Sequence, residues 1–450
     1  MSAVLSKPGQ ETSPVFRTTA RPRRVAIIGA GLAGLSAALR LSQQGHQVCV
    51  FEAAPQAGGR ARSVSHASAT LDNGQHLCLG AYHATLALLD EAGIDPAQVF
   101  TRLPLALHMH HGNQSISLVT PRWLPAPLHL LWGLITARGL DWGSKWRATS
   151  WMRQLQKQRF TLAQDMPVST LLTQAQQTPL LIKTLWEPLC LAALNTPLAR
   201  ASAQVFLNVL RDSFQYRRQD SDFLVAKSDL SQALIQPLIA HLETRGVQLR
   251  LRTPITAIQP FEQGCKVTHA QPEAFDAVVI AVGPHQLKTV AGAPTLPQWD
   301  YQPITTIYLQ FNDQVRLPHA FIGLCDGWAQ WVFDRGQCCN QAGLLAVVIS
   351  AHARFEMDKS TLITHCLTEI NLALASHGVK LPEQPLWSQV ITEKRATFTC
   401  HPAMKRPSYQ TVNARVLLAG DYVDSPYPAT IESAVRSGQA AAQAIGRLLA

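Results

Sequence analysis

A chain of 450 residues, 47% of them hydrophobic, can bury a large core and is long enough for two domains, which excludes disorder as a description of the whole. A formal net charge of +10 suits a polyanion or an anionic lipid surface, but no nucleic-acid motif accompanies it, and nucleic acid is not expected as a partner. Nine cysteines without a CxxC pair, two of them adjacent at Cys338-Cys339, suggest neither a zinc site nor a disulfide framework; no metal is expected, and the thiols read as reduced and mostly buried.

Residues 1–22 are polar and lack the apolar core of a signal peptide, and read as a disordered tail on a cytoplasmic protein. The apolar run Val25 to Ile28 leads straight into Gly29-Ala30-Gly31-Leu32-Ala33-Gly34 and a helical stretch, the strand, tight turn and helix that a dinucleotide pyrophosphate needs. Gly29 allows the turn, Gly31 leaves room for the backbone to approach the phosphates, and Gly34 lets the helix pack closely on the strand. The helix N-terminus at Leu32 and Ala33 then faces the anion. A second strand, Gln47 to Phe51, ends at Glu52, whose carboxylate can accept from both ribose hydroxyls and disfavours a 2′-phosphate. NAD and FAD fit equally well to this point. The following Gly58-Gly59-Arg60 decides between them, because paired glycines and an arginine can wrap the diphosphate of a permanently held cofactor.

The whole stretch Arg24 to Arg62 closely resembles the N-terminus of the flavin amine oxidase and phytoene desaturase superfamily, which implies non-covalent FAD. Next comes the Gly-punctuated segment Leu71 to Tyr82, before an amphipathic helix over roughly 83–93; in the superfamily the matching segment passes under the ribityl chain and flavin ring. Its DNGQHLCLGAY resembles the hydroxysqualene dehydroxylase family, the squalene-associated FAD-dependent desaturases. That resemblance makes His76 the first candidate for a catalytic proton donor, ahead of Asp72 and Tyr82, although any of them could simply bond the backbone.

Runs at Leu103 to His108 and Ser115 to Val119 flank His111-Gly112-Asn113 and read as a β-hairpin. His108 and His110 share one face there and read as solvated edge histidines rather than a metal pair. Region 121–160 holds five of the ten tryptophans, Trp123, Trp132, Trp142, Trp146 and Trp151. Its apolar run is too short and interrupted to cross a bilayer, which takes about 20 apolar residues. It can instead lie in the interface, with Lys145, Arg147, Arg153, Lys157 and Arg159 toward anionic lipid, as a portal for a greasy substrate; ordinary core helices are the alternative. Helical periodicity continues through Pro167 to Gln174, Pro179 to Leu194 and Ser202 to Phe214.

A helix over Asp229 to Arg245 precedes a strand, Val247 to Leu251, and further runs at Lys266 to His269 and Asp276 to Gly283. The superfamily returns to its FAD domain in this way, and by resemblance Ile255 presents its backbone to the adenine. Alternating strands at Thr305 to Phe311, Ala329 to Phe333 and Leu344 to Ser350, a helix over 359–376 and a strand before Lys394 to Phe398 read as an antiparallel sheet that walls a substrate. Within it WVFDRG, Trp331 to Gly336, again resembles the dehydroxylase family. Finally Arg415 to Ala419 is a strand, Gly420-Asp421 its polar terminus, and Ala429-Thr430-Ile431 opens the last helix. Asp421 can accept from a ribityl hydroxyl, and the first N–H groups of the helix can face the flavin pyrimidine.

The expected fold is α/β, a Rossmann-like FAD-binding domain (23–100, 220–290, 405–450) interleaved with a mixed substrate domain of antiparallel sheet and helices (101–219, 291–404). The resemblance implies reductive dehydroxylation of hydroxysqualene to squalene, in squalene or hopanoid biosynthesis. Two alternatives stand beside it: a phytoene-type or squalene desaturase, and a non-enzymatic prenyl-lipid-binding protein resembling the GDP dissociation inhibitors. Without a second nucleotide fingerprint, the electron donor is expected to be a separate reductant or weakly bound NAD(P)H. The enzymes that make hydroxysqualene are implied as partners, met at the inner face of the cell membrane.

Overall fold

A computed structural model of the protein describes residues 22–66, 69–352 and 357–450. The tail expected over 1–22 lies, apart from Pro22, outside the described residues.

Five short strands build a parallel sheet in the order Gln248–Arg250, Gln47–Phe51, Arg24–Ile28, Ala277–Ile280 and Val416–Leu418. Their residues are apolar on both faces, as a parallel sheet covered on both sides requires, and Val25, Val50, Ala277 and Val279 are wholly buried. The register aligns Ile28 with both Phe51 and Ile280, so the turns that follow at Gly29, Glu52 and Ala281 gather at one sheet edge. In open α/β sheets that carboxyl edge is where ligands bind. Helix Leu32–Gln43 covers the sheet, and the closing helix Ile431–Leu449 packs on it so tightly that a Cβ at Gly438 would lie 2.1 Å from the Ala33 carbonyl oxygen.

A seven-stranded sheet forms the second layer, in the order Trp387–Phe398, Tyr301–Gln310, Leu344–Ser350, Trp331–Asp334, Phe321–Leu324, Ala106–His111 and Gln114–Val119. Side chains alternate across it with the two-residue period of a strand. Ile307, Leu309, Val332 and Val347 pack against helix Lys359–Leu374, while Tyr308, Trp331, Phe333 and Val348 face the core shared with the helices of 128–214. Two helical stretches contain a π-turn, Ile182–Trp186 and Ser231–Ile235, with Pro188 and Pro237 two residues beyond their respective ends, and the wider turn accommodates the missing proline N–H.

Three expectations change. Phe100–Leu103 belongs to a different sheet, pairing with Phe223–Ala226, so the hairpin starts at Ala106 and turns at Gly112-Asn113. Its first strand is also interior: Gly323 and Leu324 pair in parallel with Met109 and His110, a contact across more than 200 residues that no local pattern reveals. His108 and His110 are therefore not solvated edge residues. His110 is 6% exposed, and the His108 ring stacks on His319 with centroids 3.4 Å apart. Lastly, Trp151 parts company with the other tryptophans of its region and is buried edge-on against Trp186 at 4.9 Å.

Candidate functional site

At the carboxyl edge of the parallel sheet Gly29 adopts φ +107°, a conformation open to glycine, and its N–H donates to the Phe51 carbonyl at 2.7 Å. Gly34 is equally constrained, since a Cβ there would lie 2.0 Å from the Gly29 carbonyl oxygen. Above the turn the two loops touch: a Cβ at Gly59 would lie 3.3 Å from the Gly31 Cα, so close approach keeps both positions free of side chains. Gly58 closes the second loop onto the first by donating to the Ala30 carbonyl at 2.8 Å. The helix beginning at Leu32 has no capping side chain, which leaves its first N–H groups, through Ala33 and Gly34, for a ligand. Glu52 is held at its strand end by the N–H groups of Ala30 (2.8 Å) and Ala54 (2.9 Å), and the Thr253 N–H, two residues before buried Ile255, donates to the Glu52 carbonyl at 2.8 Å. Side-chain-free glycine loops, uncapped helix N–H groups and a fixed carboxylate beside them fit a dinucleotide cofactor.

The far end of the chain joins the same place. Arg60 Nη2 lies 2.7 Å from Asp421 Oδ1, and Arg60 Nη1 donates to the Ala396 carbonyl of the substrate sheet at 2.7 Å. Gly420 donates to Ser437 Oγ at 2.8 Å, and Thr430 caps the closing helix by accepting from Ser433 N–H, leaving the N–H groups beginning at Ile431, after Ala429, at the helix mouth. Two residues absent from the sequence reading hold this loop. Arg406 donates to the carbonyls of Asp421, Tyr422, Ser425 and Tyr427 and so pins 421–427 as a unit. Buried Glu432 accepts from Ala84 N–H, Thr85 N–H and Thr85 Oγ1, supplying helix His83–Glu91 with the cap its own N-terminus lacks. Neither has a local signal, because each partner lies in another element.

The three candidate catalytic residues are placed differently. Asp72 is 2% exposed and committed on both oxygens, to the Leu230 N–H at 2.7 Å and to Arg335 at 3.2 Å. Tyr82 precedes helix His83–Glu91, with Cys78, Glu432 and Thr430 around its hydroxyl, and burial pushes its phenol far above the ordinary range. His76 feels the charges of Arg60, after the paired glycines, and of Arg335, at the start of helix Arg335–Cys339, and its Nδ1 is buried without a hydrogen-bond partner. Burial lowers its pKa below 6.5, with the two cations adding to the effect against the opposing pull of Asp72 and the Gly74 backbone. The imidazole is accordingly neutral at pH 7. Among the described residues, no group of three or more His, Cys, Asp or Glu is arranged to hold a metal ion.

The sequence profile of the flavin containing amine oxidoreductases matches residues 32–446. The chain belongs to that family. This flavin-containing oxidoreductase is 30% identical over 443 residues to the hydroxysqualene dehydroxylase of Rhodopseudomonas palustris, a match that spans 94% of this chain and 98% of the relative. The hydroxysqualene dehydroxylase of Zymomonas mobilis is 28% identical over 427 residues, 92% of this chain and 97% of its own. An oxidoreductase from Methanosarcina mazei superposes with a TM-score of 0.71 at 14% identity, covering 93% of this chain and all of the other, which shows the shared fold. The protein is thus an FAD-dependent oxidoreductase, and the glycine turn, Glu52 and the Arg60–Asp421 pair lie together at a sheet edge that such a cofactor would fit.

Proposed function

We propose that this protein removes the hydroxyl group of hydroxysqualene reductively, giving squalene. The observation that carries the reading is the nearly full-length match to hydroxysqualene dehydroxylases. Two of the segments that resemble that family, 72–82 and 331–336, also meet in one buried contact.

Bound in reduced form, FAD supplies a hydride. The protein has to ease departure of the allylic hydroxyl as water and keep other water away. Of the candidates, Asp72 has no free oxygen and Tyr82 is too weak an acid. His76, with an unpartnered buried nitrogen, is the proton donor, acting through the fraction of imidazole that is protonated. The apolar wall of Trp331, Phe333, Phe321 and Phe223 keeps the surroundings dry. The overall reaction consumes one hydride and one proton and yields one water, so each turnover needs a fresh electron pair, from a separate reductase or from weakly bound NAD(P)H.

Substrate enters from the membrane in this proposal. Helix Leu128–Thr136 turns Leu128, Trp132 and Ile135 outward, and helix Trp142–Lys157 does the same with Trp142 and Trp146 on the stripe that also carries Arg153 and Lys157. Trp123, Trp142 and Trp146 are 69–73% exposed. Such a stripe with cations beside it suits an anionic interface. No helix among the described residues is long and apolar enough to cross a membrane. Beneath these helices lies a narrow apolar cavity of about 10 Å3 lined by Leu107, Leu118, Leu130, Leu134, Met152 and Trp186. Peripheral contact at the inner face of the cell membrane would also bring the protein to the enzymes that make hydroxysqualene.

Anaerobic incubation with chemically reduced flavin tests the reaction. Loss of hydroxysqualene with equimolar squalene is expected. Consumption of squalene by the oxidised enzyme would instead establish the desaturase direction, and a colourless purified protein that only binds isoprenoid would leave it a carrier.

A further inference from the structure

Arg335, the first residue of the short helix Arg335–Cys339 that follows strand Trp331–Asp334, is fully buried, 263 positions from Asp72 in sequence, with which its Nη1 pairs at 3.2 Å. The same Nη1 donates to Gln75 Oε1 at 2.5 Å, and Nε donates to Gln341 Oε1 at 2.5 Å. Asp72 is fixed from two further sides, by the Leu230 N–H and by the Tyr308 hydroxyl, which donates to the Asp72 carbonyl at 3.0 Å. Burying a guanidinium in such a place is costly, and a well-packed apolar pair would hold two layers together as well. The cation therefore does something that an apolar pair would not.

Gln75 shows what that is. An arginine has only donors, so the oxygen of the Gln75 amide must turn toward Arg335, and the amide nitrogen must then point the other way. That nitrogen, Nε2, donates to the His76 carbonyl at 3.1 Å, while the Gln75 N–H is held by Thr306 Oγ1 at 3.2 Å. We propose that Arg335 is a positioning residue for the dehydroxylation: it sets the orientation of the Gln75 amide, which holds the His76 peptide and so aims the imidazole between the cofactor layer and the substrate sheet. This inference rests on the assignment of His76 as proton donor made above. It also accounts for the pairing of the two segments, because neither Gln75 nor Arg335 orients anything without the other.

Two variants separate positioning from packing. Gln75→Glu keeps an acceptor for Arg335 but loses the amide donor toward His76; Gln75→Met loses both and leaves the Arg335–Asp72 pair in place. Both holoproteins are expected to keep FAD and to unfold within a few degrees of the parent, with KM within about twofold and kcat reduced at least tenfold. Adding either change to His76→Ala should cost nothing further, since residues that act as one unit are not additive. Full turnover in Gln75→Glu, or an additive loss in the double variants, would overturn the proposal. A second readout needs no substrate. In holoprotein labelled with 15N-histidine, the ring signals missing from His76→Ala are assigned to His76, and they should move in both Gln75 variants while those of the remote His108 stay. Unmoved His76 signals overturn the positioning role; moved signals in a protein that leaves hydroxysqualene untouched support it and refute the dehydroxylase reading.

Discussion

Arg60 and Asp421, 361 positions apart in the chain, lie 2.7 Å apart in the fold. Arg60 follows the paired glycines Gly58-Gly59, and Asp421 lies three residues beyond the last strand of the parallel sheet, so the contact joins the two ends of the chain at the carboxyl edge of that sheet. Asp421 is 9% exposed in its side chain and Arg60 44%, which makes the carboxylate the anchored partner and the guanidinium the adjustable one.

Asp421→Ala is expected to leave the fold intact, because Arg406 holds the 421–427 loop through backbone carbonyls rather than through this side chain. Loss of a charge-assisted hydrogen bond costs about 1.5–3 kcal/mol, so FAD should be retained roughly ten- to a hundredfold less tightly. The ratio of flavin to protein absorbance after gel filtration measures it. A fully yellow Asp421→Ala protein would remove this carboxylate from the cofactor site.

With His76 as the proposed donor, turnover depends on pH. The pKa of His76 is held below 6.5, chiefly by burial, so the protonated form that can donate is scarce at pH 7 and accumulates as pH falls. Turnover under saturating reduced flavin should therefore rise as pH drops below about 6.5 and level off once the imidazole is protonated. His76→Ala should keep its FAD, lose most turnover and lose the acid limb with it. A flat profile in the parent protein would mean that the donor is another group.

Why part of the site was legible in the sequence and part was not follows from where each residue finds its partner. Gly29, Gly34, Glu52 and Gly58 make their contacts with their own or an adjacent loop, so spacing alone points to them. Arg406 and Glu432 act on backbone groups of other segments, and a lone charge in a loop or first helical turn reads as solvated. The hairpin of 106–119 failed for the same reason: its two-residue period was visible, but its pairing with Phe321–Leu324 was not, and that pairing is what buries His110. Trp151 falls among exposed tryptophans in sequence, yet lies on the buried stripe of its helix with Ala148, Met152 and Leu155.

The histidine cluster makes stability depend on pH. Burial, with neighbouring imidazoles adding to it, lowers His108 and His110 to about 4, and His319 is lowered as well. The folded protein thus favours their neutral forms, whereas the unfolded chain takes up protons near pH 6.5. Between about 6.5 and 4 the unfolded state binds more protons, so stability is lost as pH falls through that window and is unaffected above it. The urea midpoint should drop from pH 7.5 to pH 5.0, and less so in His108→Gln/His110→Gln. An equal drop in that variant would place the effect elsewhere.

The exposed tryptophans separate docking from folding. Trp142 and Trp146 are 73% and 69% exposed on one stripe of helix Trp142–Lys157, and Lys145 Nζ sits 4.7 Å from the Trp142 ring centroid. Replacing both with Ser removes little packing, so thermal unfolding should barely change. Sedimentation with vesicles containing phosphatidylglycerol should nevertheless weaken at least tenfold. Each basic side chain near an anionic surface contributes roughly 1 kcal/mol that salt screens, so binding by the parent should also fall with ionic strength and be weak on purely zwitterionic vesicles. Trp151→Ala behaves oppositely: its ring is 4% exposed against Trp186, and its loss should cost about 3–5 kcal/mol of stability without a direct effect on vesicles. Equal vesicle binding by the parent and by Trp142→Ser/Trp146→Ser would mean that these rings meet something other than lipid.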